Sequence, residues 1–207
     1  MFDLFFRRDL HRYDIINKII EKYNFKKYLE IGVNIGETFV KVNCSHKVSV
    51  DPEQYGYTTC QMTSDEYFEK LDKNEKFDLI FVDGLHTYEQ CYKDLENSIK
   101  HLSDGGFIVC HDMNPPSSSH AKSEYDPYAI IDWNGDVYKA FIKFRKNHLN
   151  YSSCMLYDCD WGVGVITKGI GQAIQCDTDN MSYDDFANNK MYLMNCIKSD
   201  DFIKNFC

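Results

Sequence analysis

The sequence predicts an α/β fold, a doubly wound and mostly parallel β-sheet with helices on both faces, and three observations predict it. The apolar residues 28–31 run directly into a glycine turn, which is typical of a strand leaving such a sheet. Residues 77–82 and 106–110 are continuous apolar runs, as expected for parallel strands buried on both faces. Between them, residues 87–102 have apolar side chains at helical spacing and predict the crossover helix that parallel strands need.

The first third of the chain predicts one helix and three strands with short connections. Residues 9–23 place isoleucines at helical spacing, so we expect an amphipathic helix over one face or edge of the sheet. The elements predicted next are a strand at 27–31, a short helix at 36–43 and strands at 47–51 and 58–62. The link between the last two strands is too short for an ordinary crossover helix.

The rest of the chain predicts helices, a long loop and a hairpin. Thr63 to Glu66 and Thr87 to Gln90 fit the capping box, so a helix should begin at each. Residues 113–133 are polar and long for a connection, which favours a lid or a substrate wall. The elements predicted after them are a helix at 135–146, an antiparallel hairpin of 152–156 with 161–167, and short helices near Ser182 and Ser199.

Length and composition favour one soluble domain that acts on a small molecule. The chain has 207 residues and a net charge of −9, which would repel a nucleic-acid backbone. Nine cysteines form no C-x-x-C pair and are interpreted as reduced thiols rather than disulfides or zinc ligands. The N-terminal charges follow a very short apolar stretch, unlike a secretory signal, and no apolar run is long enough to span a membrane. We therefore expect a cytoplasmic protein.

A nucleoside is the ligand that the first glycine turn predicts. Gly32 and Gly36 would let the backbone approach a ligand, and Asp51 lies 19 residues beyond Gly32, where a carboxylate can accept both ribose hydroxyls. A dinucleotide fingerprint reads G-x-G-x-x-G, whereas this turn reads E-x-G-x-x-x-G. The acid in front, Glu30, suits an ammonium or sulfonium group better than a pyrophosphate.

Six sequence blocks carry a family resemblance. They are YLEIGVNIG, VSVDPE, MTSDEYF, KFDLIFVDGLHTYEQCYKDLENSIKHLSDGGFIVCHDMNPP, WNGDVYKAF and DWGVGVI. In this order they resemble the small class I S-adenosylmethionine-dependent methyltransferases of glycan and natural-product biosynthesis, a group similar to the macrocin and catechol O-methyltransferases. The resemblance implies a Rossmann-like sheet of seven strands in the order 3-2-1-4-5-7-6, with one antiparallel strand.

The same resemblance implies a division of the chain and a set of cofactor contacts. The chain is interpreted as a single domain, with an N-terminal helix in 1–25, a core in 26–167 and a helical tail in 168–207 that packs on the core or on a second subunit, as in a homodimer. The cofactor is expected to be S-adenosylmethionine. The residues expected to bind it are Glu30, Gly32, Asn34, Gly36, Asp51, Pro52, Met62, Thr63, Ser64 and Asp83, with the adenine near Met62, Thr63 and Ser64.

Four acids follow or end predicted parallel strands. They are Glu30, Asp51, Asp83 and Asp112. Because the carboxyl ends of parallel strands meet at one edge of a sheet, these acids should surround a single crevice. Each also has a simpler interpretation, since acids at strand ends often cap a turn.

Asp83, His86, His111 and Asp112 are the predicted catalytic residues, with two routes for removing a proton from an acceptor hydroxyl. In one, Asp83, Asp112 and Asn114 bind Mg²⁺ or another divalent cation, which lowers the pKa of the acceptor. In the other, His86 or His111 is a general base oriented by an acid. Met113 interrupts the Asp-Asn pair found in metal-dependent relatives, and either histidine alternatively anchors a loop.

The predicted activity is O-methylation of a sugar, a glycan precursor or another polyhydroxylated small molecule. Two tryptophans with nearby acids would stack on a sugar ring and bind its hydroxyls, although they equally fit core aromatics with capping acids. These residues are Trp133, Asn134, Asp136, Asp158, Asp160 and Trp161. A nicotinamide-dependent reductase and a non-catalytic nucleoside-binding module are the alternatives.

Overall fold

The computed structural model describes residues 10–206. The N-terminal charge pattern and Cys207 lie outside the described residues. The helices are α1 (Arg12–Tyr23), α2 (Ser64–Lys70), α3 (Tyr88–Lys100), α4 (Val137–Asn147), α5 (Tyr183–Leu193) and α6 (Ser199–Phe206). The strands are β1 (Lys27–Ile31), β2 (His46–Asp51), β3 (Cys60–Gln61), β4 (Phe77–Val82), β5 (Leu102–Cys110), β6 (Tyr151–Leu156), β7 (Val163–Lys168) and β8 (Cys196–Ile197).

The strands form one sheet in the order β3-β2-β1-β4-β5-β7-β6-β8. The expected order of the first seven is confirmed, and β7 is the antiparallel strand, paired with both β5 and β6. The prediction of seven strands was one short, because β8 adds parallel to β6 through only two residues. A strand of two residues has too little periodicity to be recognised in a sequence.

Helices cover both faces of the sheet. Helix α1 buries Ile15, Ile16, Ile19 and Ile20 in one apolar cluster with alternate residues of β4 and β5. Helices α3 and α4 pack on the other face, in the cluster that contains Ile80. This arrangement follows from strand geometry, since successive side chains of a strand point to opposite faces.

The predicted short helix at 36–43 is wrong. These residues form consecutive turns. The carbonyl of Phe39, which a helix over these residues would use, instead accepts the Nζ of Lys47 at 2.6 Å, and the carbonyl of Val42 accepts the same Nζ at 3.0 Å. The side-chain amide of Asn17 in α1 donates a hydrogen bond to the carbonyl of Lys41, which connects these turns to α1. Tertiary contacts therefore override the weak helical preference of the segment.

One of the two predicted capping boxes is confirmed. Thr63 accepts the backbone N–H of Glu66, and the Glu66 carboxylate accepts the backbone N–H of Thr63. Thr87 precedes α3 but its side chain makes no such bond. The backbone N–H of Tyr88 instead donates to the carboxylate of Asp136, which lies just before α4. Helix α3 is thus capped by a residue distant in sequence.

Two further findings concern the described part of the chain. None of its helices is both long enough and apolar enough to cross a lipid bilayer. Its eight cysteines are free thiols, four of them in the buried core at positions 91, 110, 154 and 159.

Candidate active site

A cavity of about 780 Å³ opens at the carboxyl ends of β1, β2, β4 and β5. It lies within the size range of roughly 300–1,000 Å³ that is usual for small-molecule sites. The predicted site residues that line it are Glu30, Gly32, Asn34, Asp51, Pro52, Thr63, Ser64, Asp83, His86, His111 and Asp112. Gly36, Met62 and Asn114 do not line it.

Asp51 is fixed at the end of β2 by backbone donors on two sides. Its Oδ2 accepts the N–H of Asn34 at 2.9 Å, and its Oδ1 accepts the N–H of Glu53 at 2.9 Å. The side chain is buried, yet it lines the cavity. Each carboxylate oxygen can accept a second hydrogen bond, so the group remains able to bind two hydroxyls.

The two glycines are required by the protein itself. A Cβ on Gly32, where φ is +84°, would lie 2.0 Å from the backbone oxygen of Asp83, and a Cβ on Gly36 would lie 2.2 Å from the ring of Tyr57. The close approach of a ligand at these glycines stays a prediction, and Gly32 does line the cavity. Gly32 allows β1 and β4 to leave the sheet side by side, which brings Asp83 to the cavity.

Glu30 is a buried acid beside the cavity. Tyr28, which is also buried, donates its phenolic hydrogen to Glu30 Oε2 over 2.5 Å. Burial raises the pKa of Glu30, and although the Tyr28 hydrogen bond opposes this, the negative charge of Asp83 adds to it, so that the pKa reaches about 8. In the absence of a ligand, Glu30 is mostly protonated at neutral pH.

Asp83, His86, Asp112 and His111 meet in a ring in which acids and imidazoles alternate. The Nε2 of His86 lies 3.4 Å from Asp83 Oδ1 and 3.3 Å from Asp112 Oδ2. The Nδ1 of His111 lies at the same two distances from the same two oxygens. The four predicted catalytic residues thus come together, although β4 and β5 supply them from separate parts of the sequence.

The acids of this ring hold both imidazoles in the charged form. Burial lowers the pKa of His86, but the interaction with Asp83 and the charge of Asp112 outweigh it and raise the pKa to about 9. Burial also opposes charging of His111, and Asp83, Asp112 and Asp160 nonetheless raise its pKa well above the usual range. Burial would raise the pKa of Asp83, but His111 and His86 hold it well below its usual range.

Asp112 is held in a left-handed backbone conformation, with φ at +62°. Its Oδ1 accepts a hydrogen bond from the buried amide of Asn134, which turns Oδ2 toward the histidines. The structure does not bring Asn114 to this ring: its side chain bonds the carbonyl of Tyr157 and the ammonium of Lys190. The predicted place of Asn114 in a metal site is therefore not supported, and His86 lies where a third ligand would be needed.

A metal ion fits this cluster by donor type and spacing. Asp83, His86 and Asp112 each present one ligand atom, and all three atoms lie within 4.8 Å of one another. Metal–ligand bonds of about 2.1 Å place neighbouring donors roughly 3 to 3.4 Å apart. Two carboxylates with one imidazole suit Mn²⁺, Fe²⁺ or Zn²⁺ better than Mg²⁺, which prefers oxygen ligands alone.

The other end of the cavity is lined by aromatic side chains. Trp133 and Trp161 both line it, and the ring of Trp133 lies 5.4 Å from that of His86. Of the long loop at 113–133, Asp132 and Trp133 line the cavity, and the role of the loop as a lid or substrate wall stays a prediction. Of the nearby acids, Asp136 bonds the N–H of Tyr88 and Asp158 bonds the N–H of Ser199, so both act as capping acids.

Arg12 is one of the cavity residues that sequence reasoning missed. It lies at the start of α1 and reaches Asp160 and Thr38 over 3.0 and 2.8 Å. A single arginine in an amphipathic helix has no local signal that separates it from a solvated surface residue. Asp160, which was predicted to wall the acceptor pocket, instead lies between Arg12 and His111, 3.6 Å from the Nε2 of His111.

The cavity fits S-adenosylmethionine in chemistry. It combines a strand-end carboxylate for the ribose, at Asp51, with acids suited to an ammonium and a sulfonium, at Glu30 and Asp83. Thr63 and Ser64, at the start of α2, line the side next to Asp51. Met62 is half-buried against the core and is not exposed to the cavity.

Comparison with known proteins points the same way. Residues 46–113 match a protein family described as a methyltransferase domain. A comparison with curated proteins found no sequence match. Many solved structures share the fold, among them a Klebsiella pneumoniae protein assigned as an O-methyltransferase, with a TM-score of 0.57, 14% identity, and 79% of this chain and 83% of that chain covered.

Two further neighbours were crystallised with the cofactor or its product. The O-methyltransferase from Bacillus cereus in complex with SAH has a TM-score of 0.57 and 13% identity, covering 76% of this chain and 80% of that chain. The O-methyltransferase TomG of tomaymycin synthesis from Streptomyces achromogenes, in complex with SAM, has a TM-score of 0.55 and 12% identity, covering 76% and 79%. At these identities the likeness to solved structures shows the fold alone, and the methyltransferase domain match extends over residues 46–113. The chain therefore shares a Rossmann-like fold with these O-methyltransferases and matches a methyltransferase domain over residues 46–113, and both findings support an S-adenosylmethionine-dependent methyltransferase.

Proposed function

We propose that the protein transfers a methyl group to a hydroxyl of a sugar, a glycan precursor or another polyhydroxylated small molecule. The observation that carries the proposal is the ring of Asp83, His86, Asp112 and His111. It lines the cavity together with Asp51 and with the two tryptophans. A site that only bound a nucleoside would have no use for so concentrated a set of proton-transfer groups.

When bound, the cofactor would supply an electrophilic methyl group: the acceptor oxygen would bond to the methyl carbon as the carbon–sulfur bond breaks in line, and S-adenosylhomocysteine would leave. The task of the chain is to bind and align the two reactants and to remove the hydroxyl proton. Asp51 accepts the ribose hydroxyls, and Glu30 faces the positively charged part. Asp83 belongs to the ring of acids and imidazoles through Oδ1, and its Oδ2 faces the side of the cavity where the cofactor would bind.

Two routes would remove the proton in this arrangement. In the first, Asp83, His86 and Asp112 would hold a divalent cation, whose Lewis acidity would lower the pKa of the acceptor hydroxyl. In the second, His86 loses its proton to solvent and then takes the proton of the acceptor, while Asp83 and Asp112 stabilise the imidazolium that forms. Both routes depend on Asp112, and only the first depends on a metal.

The acceptor end favours a neutral, ring-shaped and hydroxyl-rich molecule. Trp133 and Trp161 offer apolar faces on which the C–H face of a sugar can stack. Asp132 also lines the cavity and can bind hydroxyls, whereas Asn134 is buried and bonds Asp112. The excess of acids around the cavity disfavours a phosphorylated acceptor, as the net charge of −9 disfavours nucleic acid.

The cellular setting is also part of the proposal. Eight free cysteines in the described chain suit a reducing compartment such as the cytoplasm. Of the two alternatives for the tail, packing on the core is supported by Phe186 of α5 and Phe202 of α6, which are buried in the two core clusters. A homodimer formed through the exposed surface of the tail is a further part of the proposal. Size-exclusion chromatography with light scattering tests this directly, and a monomer at micromolar concentration would contradict it.

A methyl-transfer assay with labelled S-adenosylmethionine tests the activity. Neutral sugars and polyols, catechols, amines and sugar phosphates would be offered as acceptors, with the Asp112→Asn variant as the matched inactive control. We expect transfer to neutral polyhydroxylated acceptors and loss of transfer in the variant. Binding of the cofactor without transfer to any acceptor would contradict an enzymatic role and favour a binding module.

A further inference from the structure

We infer that Arg12 binds the carboxylate of the methionine part of S-adenosylmethionine, and that it forms an amino-acid subsite with Glu30 and Asp83. The inference rests on the cofactor of the proposed function. Arg12 belongs to α1, the helix that the sequence predicts only as an amphipathic helix packed on the sheet.

The position of Arg12 supports this role. It is at the first residue of α1, and its side chain, only 12% exposed, lines the cavity. Its Nε lies 2.8 Å from Thr38 Oγ1, in the turns that follow the glycine segment, and 3.9 Å from Asp83 Oδ2 at the end of β4. Arg12 is therefore on the side of the cavity where the methionine end must lie if the ribose is at Asp51.

Arg12 is also the one arginine or lysine among the cavity residues in the described range 10–206. The two histidines of the cavity already face acids, two at His86 and three at His111. Methionine carries one ammonium and one carboxylate. The cavity offers several acids for the first and a single permanent cation for the second, so the charges match in kind and number.

Two of the N–H donors of the Arg12 guanidinium are available to a ligand. Of its five N–H groups, one on Nε bonds Thr38, one on Nη1 bonds Asp160 and one on Nη2 bonds Glu37. Within the described residues, one N–H on each terminal nitrogen has no recorded partner. Two such donors form the fork that a carboxylate accepts in a bidentate manner.

Asp160 and Glu37 play different parts around this guanidinium. The Oδ2 of Asp160 accepts both the backbone N–H and the Nη1 of Arg12, at 2.9 and 3.0 Å, and its side chain is 9% exposed. Glu37 lies 3.1 Å from Nη2 but is 53% exposed. Exposed ion pairs contribute little. Asp160 thus holds Arg12 in place, and Glu37 is a weakly held carboxylate that the carboxylate of the ligand replaces.

Calorimetric binding with three ligands tests the inference. S-adenosylhomocysteine has both groups of the amino acid, decarboxylated S-adenosylmethionine keeps the ammonium alone, and 5′-methylthioadenosine has neither. For Arg12→Ala we expect the affinity for S-adenosylhomocysteine to fall roughly 10- to 100-fold, as for loss of a charge-assisted pair, and the affinity for the other two ligands to stay within about threefold. Arg12→Lys should recover part of the loss.

Glu37→Gln is the matched variant, because it removes the competing carboxylate and leaves the guanidinium in place. It should bind S-adenosylhomocysteine as tightly as the wild type or a few-fold more tightly. An equal loss for all three ligands in Arg12→Ala would show a merely structural role and overturn the inference, as would an effect on acceptor binding alone. If the wild type bound none of the three, the proposed cofactor itself would be wrong, so the two failures are distinguishable.

Discussion

Asp51 accepts the backbone N–H of Asn34 through Oδ2 at 2.9 Å, and this bond joins the end of β2 to the turn that follows β1. The carboxylate is therefore held in one orientation beside the cavity before any ligand arrives. Such preorganisation reduces the entropy that ligand binding must overcome. The ribose role that the sequence predicts for Asp51 has a rigid geometric basis.

Substitution of Asp51 should separate binding from stability. In Asp51→Ala, the loss of two charge-assisted hydrogen bonds to the ribose should weaken S-adenosylhomocysteine binding by at least about 100-fold. Asp78→Ala is the matched control, because Asp78 also accepts two backbone N–H groups, those of Lys26 and Lys27 at 2.8 and 3.0 Å, but lies away from the cavity. Both variants should lower the melting temperature, and only Asp51→Ala should change the dissociation constant measured by calorimetry.

Glu30 should couple cofactor binding to pH. Since the pKa of Glu30 is about 8 without ligand, the carboxyl is neutral at pH 7, and a bound cation would favour its ionised form. Binding at pH 7 should then release a proton, and affinity should rise toward pH 9. Calorimetry in buffers of different ionisation enthalpy measures this release. Glu30→Gln should show none, and equal proton release in the two proteins would contradict the assignment.

The same carboxyl should affect stability. Because the pKa of Glu30 is raised on folding, the folded state binds a proton that the unfolded state has already lost above pH 5. Its favourable contribution is complete below about pH 4.5 and is lost as the pH rises through 8. The free energy of unfolding of the wild type should therefore fall relative to Glu30→Gln between pH 5 and pH 9. Urea titrations at several pH values test this, and parallel curves would argue against it.

Asp112→Asn should abolish turnover while leaving cofactor binding intact. Asparagine tolerates the left-handed backbone at this position, where φ is +62°, so the fold should be preserved. Loss of the metal ligand or of the group that stabilises His86 should lower kcat by roughly 10²- to 10⁴-fold. The dissociation constant of S-adenosylhomocysteine should stay within a few-fold of the wild-type value.

Chelation then distinguishes the two proton-removal routes. Loss of activity in chelator and recovery with Mn²⁺ or Zn²⁺ would support a cation at Asp83, His86 and Asp112. Full activity in chelator together with its loss in His86→Gln would support the general-base route. A variant that kept wild-type kcat without Asp112 would contradict both.

Gly32→Ala should be severely destabilising. The new Cβ would lie 2.0 Å from the backbone oxygen of Asp83, and φ at Gly32 is +84°. Clash and backbone strain together should cost several kcal/mol, on the order of 3 or more. Gly56→Ala is the control, because nothing lies within 4 Å of its ideal Cβ. Equal stability of the two variants in a urea titration would show that the close approach of β1 and β4 is not maintained.

The sequence predicted those parts of the fold and site that depend on local pattern. Continuous apolar runs located β4 and β5, and the rule that ligands bind at strand ends located Glu30, Asp51, Asp83 and Asp112. The strand order came from family resemblance. What pattern could not predict was contact between distant segments: the turn at 36–43 is shaped by Lys47, and the start of α3 is capped by Asp136.

Arg12 belongs to the same group of missed contacts. Its place in the cavity depends on how α1 docks against the turn between β6 and β7, through the two bonds to Asp160. The docking is decided by residues about 150 positions apart, and no periodicity or motif encodes it. Asn134, whose amide holds Asp112, is a further example, although the sequence did place it near the acceptor.

Soaking crystals with S-adenosylhomocysteine tests the central claim most directly. The account predicts adenosine density in the cavity at the ends of β1 and β2, with both ribose hydroxyls about 2.7 Å from the carboxylate of Asp51. Ligand density elsewhere on the protein, or a cavity without ligand at a saturating concentration, would contradict it.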